Sequence, residues 1–274
     1  MDHFTRDGLV FDVRDGGDGR AGTVVALHGF PQTGAMWEPV RAAWEEAGHR
    51  VVAPDQRGYS PGARPPGIRP YTQRELAADA VALIEALDAG PVHLVGHDWG
   101  GAVAWTVAYR RPDLLRSLTV LSTPHPLAYR AGLLQGQALK SWYFLAFQPP
   151  RLPERTLSLR GGEVFARSLR GSGLDASSAA RTVELFRQPG AATAAVNWYR
   201  ALRFGAPAAG RIQVRTLYVW GDRDRFLGAA PARRTGSFVD APYEYAEIRG
   251  GTHWLVEQRP GQVADLVLEH LAHA

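Results

Sequence analysis

The chain predicts an α/β architecture: a mostly parallel sheet with helices on both faces and a helical cap inserted after the sixth strand. Three observations carry that prediction. Six short runs, most of them rich in Val or Leu, each end in turn chemistry, as fully buried parallel strands do. Helix-like segments lie between them, which is the alternation that builds a parallel sheet. The alternation stops only once, between about His125 and Pro207.

In chain order, the opening "HFTRDGLVFDVRDGGDG" alternates apolar and polar residues and turns at Asp15 to Gly19, which predicts antiparallel strands at one edge of the sheet. The apolar runs are Thr23 to Pro31, His49 to Gly58, Pro91 to His97, Leu115 to Pro124, Val214 to Asp224 and Tyr243 to His253. Helical patterns fill Gly34 to Ala47, Thr72 to Asp88 and Trp99 to Arg110, and "PGQVADLVLEHLAHA" closes the chain. Within the interruption, aromatic helical pieces are joined by "QPPRLP" and "LRGSGLD". A segment that leaves one strand and returns to another should lie over the carboxyl ends of the strands, where open α/β sheets bind ligands. The expected division is a core of residues 1–124 and 208–274 and a helical cap of residues 125–207.

Composition narrows the function. The 274 residues contain no cysteine, which removes disulfides, thiolate metal sites and a cysteine nucleophile and fits a reducing cytoplasm. The amino terminus is charged throughout and no run is long enough to span a bilayer, so a soluble cytoplasmic protein, monomer or homodimer, is expected. The net charge of +4 is dispersed among acidic residues, and no basic tract points to a nucleic-acid or membrane partner. Lys140 is the only lysine; every other basic residue is arginine.

The motif G-x-S-x-G of serine hydrolases occurs at "GYSPG", Gly58 to Gly62. That chemistry needs a strand before the nucleophile and a helix after it, and Ser60 is followed by "PGARPPGIRP", which cannot be helical. "GHDWGG" has the required setting, between "VHLV" and "AVAWTVAYRR", with Asp98 at the tip of the turn. Asp98 is therefore either a nucleophile or a helix cap. Two later sites favour the nucleophile. "VWGDRDRFL" ends a strand with Asp222 and Asp224, and "RGGTHWLVEQRP" follows the last strand with His253; the order nucleophile, acid, histidine is that of α/β-hydrolases. Asp224 lies further past its strand and is the preferred partner of His253, with Asp222 as the fallback. "HGFP" supplies a loop whose Phe30 backbone N–H, with that of Trp99, can face an oxyanion. His28 and His97 are expected to support these loops and His125 to mark the hinge into the insertion.

Together "HGFP", "GHDWGG", "GDRD" and "GTHW" resemble the α/β-hydrolase-fold epoxide hydrolases and their relatives the haloalkane dehalogenases. The resemblance spans the whole chain and is less distinct in the insertion. It implies that Asp98 is the nucleophile, that no cofactor or metal takes part, and that the partners are a small apolar epoxide and water. The chemistry is consistent: a carboxylate is ionised at neutral pH and can displace a leaving group at saturated carbon without a base. His253, oriented by Asp224, would then activate water to cleave the ester. "SWYFLAFQPP" and "VNWYRALRFG" resemble the two cap segments that carry tyrosine donors in epoxide hydrolases, and place them at Tyr143 and Tyr199. Dehalogenases commonly carry a polar or indole residue where Phe30 stands, and the fluoroacetate type carries arginine where Trp99 stands. Phe30 favours the epoxide reading over its alternative, a haloalkane or haloacid dehalogenase with the same triad, whereas Trp99 argues only against the fluoroacetate type. A non-catalytic small-molecule receptor on a hydrolase scaffold is the reading of another class, against which an intact triad argues.

Overall fold

The computed structural model describes residues 1–274 and places them around one eight-stranded sheet. β1 (His3–Arg6) and β2 (Leu9–Gly16) form a hairpin whose tight turn is Asp7–Gly8, both at positive φ. The expected turn at Asp15 to Gly19 does something else: it leads from β2 to β3 (Gly22–Leu27), which does not pair with β2. An Asp-Gly pair flanked by short alternating runs is the stronger hairpin signal.

Next come β4 (His49–Pro54), β5 (Val92–His97), β6 (Leu115–Leu121), β7 (Thr216–Gly221) and β8 (Tyr243–Ile248). The sheet order is β1-β2-β4-β3-β5-β6-β7-β8, with β1 and β2 paired antiparallel and all strands from β4 to β8 parallel. Residues alternate between faces, as the pleat demands. Along β3, Val25 and Leu27 join the core on one side, while Val24 and Ala26 join the core on the other. One sequence run thus requires helices on both faces.

Those helices are α1 (Glu38–Glu46), entered through a 3₁₀ turn at Gly34–Trp37, α2 (Gln73–Leu87) and α3 (Trp99–Arg110). The insertion holds α4 (Pro126–Gly132), α5 (Gln137–Lys140), α6 (Trp142–Ala146), α7 (Leu152–Leu157), α8 (Glu163–Gly171), α9 (Ala176–Arg187) and α10 (Ala191–Arg200). α11 (Ala229–Arg234), α12 (Leu255–Gln258) and α13 (Pro260–Ala272) complete the fold. α11 lies where no helix was predicted; its six residues are too short to show a 3.6-residue period.

β8 departs from the expectation of full burial. As the edge strand beside β7 it has only Ile248 buried, and its Tyr and Glu side chains remain partly exposed. Charged residues on an edge discourage pairing with a second chain.

Candidate active site

The parallel register brings four loops together at the carboxyl ends of the strands. Leu27 of β3 pairs with Gly96 of β5, setting "HGFP" beside the turn that carries Asp98. Gly221 of β7 pairs with Ile248 of β8, setting the loop of Asp224 beside that of His253.

Asp98 sits at φ 51° and ψ −120°, a strained conformation for a residue with a side chain. The turn is possible because Gly100 follows: a Cβ there would overlap the Leu27 and His28 carbonyls. Asp98 makes no side-chain capping bond to α3. Its Oδ1 instead accepts the Phe30 N–H at 2.8 Å, and its backbone carbonyl accepts the Thr123 hydroxyl at 2.7 Å. The carboxylate thus faces the cavity rather than the helix end.

His253 Nε2 lies 3.4 Å from Asp98 Oδ2, and His253 Nδ1 lies 2.8 Å from Asp224 Oδ2. The other oxygen of Asp224 accepts the Phe226 and Leu227 N–H groups at 2.7 and 2.9 Å, so the acid is fixed on both sides. Lys140 Nζ adds a third hold, donating to the Asp224 carbonyl at 2.7 Å. Burial favours the neutral His253 ring, but Asp224 and Asp98 outweigh it and push its pKa up to about 10. Burial also opposes ionisation of Asp98, yet its bond and charge interaction with His253 hold it below the usual carboxylate value. The resting pair is an ionised carboxylate against an imidazolium.

Tyr199 packs edge-on against Phe30, Trp99 and Tyr143, with ring centroids 5.1, 5.0 and 5.9 Å away. Burial pushes both phenols well above their ordinary pKa, so both keep their protons at neutral pH. Both line a cavity of about 850 Å³ with Asp98, His253, Phe30 and Phe226. A second cavity of about 500 Å³, lined by Trp99, Phe144 and Leu145, meets the first at Asp98, Trp142 and Tyr143.

A family model for the alpha/beta hydrolase fold matches residues 22–260. The chain is 34% identical to AB hydrolase superfamily protein YfhM of Bacillus subtilis, over 97% of this chain and 95% of that protein. It is 34% identical to epoxide hydrolase 3 of Xenopus tropicalis, over 96% of this chain and 75% of that one. Its fold superposes on epoxide hydrolase A from Mycobacterium thermoresistibile with a TM-score of 0.86 at 25% identity, covering 98% of this chain and 97% of the other. The chain belongs to the α/β-hydrolase-fold epoxide hydrolases.

Every residue singled out from the sequence of this epoxide hydrolase family member has a definite place. Asp98, His253, Asp224, Tyr143, Tyr199, Phe30 and Trp99 converge, and Asp222 does not: it is exposed, and its carboxylate accepts the Gly250 N–H at 2.6 Å. Ser60 is buried, accepting the Asp12 N–H and donating to the Asp55 carbonyl, as a turn hydroxyl would. His28 accepts the Gln56 N–H at 2.9 Å and contacts the Gly29 carbonyl at 3.0 Å. His97 donates to the His253 carbonyl at 2.8 Å. Burial pushes both rings down to about 4, so they are neutral supports. His125 caps α4 through Leu127 and reaches the Gly210 carbonyl at 3.0 Å, tying the entry of the insertion to its exit.

The role of Lys140 was missed from the sequence, where it stood out only as the single lysine. The hold on Asp224 by Phe226 and Leu227 was missed too; its signal is an aspartate followed two and three residues later by apolar residues, the spacing of a side-chain-to-backbone turn.

Proposed function

We propose that the chain hydrolyses an epoxide to a vicinal diol through an alkyl ester on Asp98, beneath a cap formed by residues 125–207. The observation that carries this reading is the convergence of an ionised aspartate, a carboxylate-bound histidine and two protonated tyrosines in one apolar cavity.

Asp98 Oδ1 is held by the Phe30 N–H, so Oδ2, on the His253 side at 3.4 Å from Nε2, is the oxygen that attacks the epoxide carbon. As the C–O bond breaks, Tyr143 and Tyr199 donate to the departing oxygen and one gives up its proton. Esterification removes the Asp98 charge, one of the two that hold the proton on His253. The imidazolium therefore releases its proton, which makes good the loss at the tyrosine. Neutral His253 next takes a proton from water as the hydroxide adds to the ester carbonyl, whose oxygen lies in the Phe30 and Trp99 N–H pocket. Collapse expels the diol and restores carboxylate and imidazolium, so protons and charge balance over the cycle.

The two cavities that meet at Asp98 support an apolar epoxide with a substituent on each side of the ring. A panel of terminal and internal epoxides, with halide release measured beside it, tests the reading. Diol formation with preference for internal epoxides is expected; halide release without epoxide turnover would replace it with the dehalogenase reading.

A further inference from the structure

The net charge of the molecule hides a strong division. Residues 125–207 hold eleven Arg and Lys against four Asp and Glu, a net of +7, whereas the remainder holds twenty against twenty-three, a net of −3. The same helical segment carries the most exposed large apolar side chains: Leu134 is 98% exposed, Leu139 82%, Leu145 77% and Trp142 66%. Three of these four line the two cavities and are therefore at their mouths. Leu152 and Val164, also exposed, rim the larger one.

The basic residues interleave with that rim. Arg130 and Arg225 line the cavities, Arg151 precedes Leu152, and Arg155 precedes the lining residue Thr156. All four are exposed, and no carboxylate lies within 4 Å of any of them. An apolar patch rimmed by charge of one sign marks an interaction surface. Leucine and tryptophan beside unpaired arginine is the composition that lies in a bilayer interface, where the rings and alkyl groups enter the acyl boundary and the guanidiniums stay with headgroups.

We propose that the cap face docks on an anionic lipid surface, with both cavity mouths opening toward the bilayer. The charge selects this occupant. A second copy docked through the same face would bring +7 against +7, and a nucleic acid would gain nothing from Leu134, Leu139 and Leu145. No helix is long and apolar enough to cross a membrane, so the contact is peripheral. The benefit of docking rests on the reading above: an apolar epoxide concentrates in the bilayer and would enter the cavity without crossing water. The docking itself does not depend on that reading and is measured without turnover.

The experiment is flotation of the full chain with vesicles of phosphatidylcholine alone and with vesicles also containing phosphatidylserine, at low and high salt. Binding is expected only with phosphatidylserine and should be lost at high salt. Arg151→Glu and Arg155→Glu should each lower the partition coefficient about fivefold or more, the size expected of a basic side chain near an anionic leaflet. Leu134→Glu should weaken binding as well, with unchanged thermal melting to show that each variant is folded. Failure to bind phosphatidylserine vesicles would overturn the proposal, as would equal binding to both vesicle types. So would a concentration-dependent dimer that Leu134→Glu dissolves, or preference for a DNA oligonucleotide over vesicles.

Discussion

Phe30 and Asp98 are joined across the site before any substrate arrives: the Phe30 N–H donates to Asp98 Oδ1 at 2.8 Å. In the proposed ester route, the donor that would meet the oxyanion of hydrolysis already holds the oxygen that would become the ester carbonyl. The site would then need little rearrangement between the two steps, which is the economy of a preorganised donor.

Removing the carboxylate should end the reaction. Asp98→Ala is expected to reduce diol formation to background. Ser60→Ala should leave turnover nearly intact yet lower stability by about 1–3 kcal/mol, because it removes the hydroxyl that donates to the buried Asp55 carbonyl and accepts the Asp12 N–H. Rate measurements and denaturant melts on both variants separate the two roles.

His253→Gln should allow alkylation and block hydrolysis, since displacement by a carboxylate needs no base whereas activation of water does. Intact-mass spectrometry should show the protein carrying one substrate, and peptide mapping should put it on Asp98. A variant that binds substrate and never acquires mass would exclude the ester.

The raised His253 pKa sets a direction for stability. Its folded value of about 10 exceeds the ordinary value near 6.5, so the folded state holds a proton that the unfolded state gives up between them. The contribution is full below about pH 6.5 and disappears as pH rises through about 10. Thermal melting between those limits should show Tm falling with pH, and His253→Gln should flatten that slope.

Tyr143→Phe and Tyr199→Phe should each slow turnover, because each removes one donor from the departing oxygen. Loss of such a donor costs about 10²–10³ in rate. Single-turnover rates of ester formation read this step directly, and the thermal melt should barely change.

Most of the core was legible because its strands are continuous apolar runs and its turns carry Gly beside Asp or His. The candidate site was legible for the same reason, since Asp98, Asp224 and His253 each follow a strand. What stayed hidden depends on partners distant in sequence. Nothing near Lys140 reveals that it reaches the Asp224 carbonyl 84 residues away. The edge position of β8 is different, because Tyr243–Ile248 carries Glu244 and Glu247 where its buried neighbour β7 carries no charge, a signal that the expectation of full burial passed over. The charge of residues 125–207 was present in the sequence but invisible as a tract, because its basic residues are spread along a segment of seven short helices.

The source of the product's second oxygen distinguishes the ester route from direct attack by water. In the ester route Asp98 Oδ2 forms the bond to carbon, and that bond survives when hydroxide adds to the carbonyl carbon. The oxygen delivered in the first turnover therefore belonged to the protein, and the oxygen of water remains on Asp98. With enzyme in excess over substrate in heavy-oxygen water, the diol should be unlabelled and the peptide containing Asp98 should gain one heavy oxygen. Repeated turnovers should then move label into the diol as successive carboxylate oxygens are spent. If Asp98 served only to hold His253 while activated water attacked the ring, the first diol would carry the label and the peptide none. Epoxide turnover with that reversed pattern would keep the activity and remove the mechanism proposed for it.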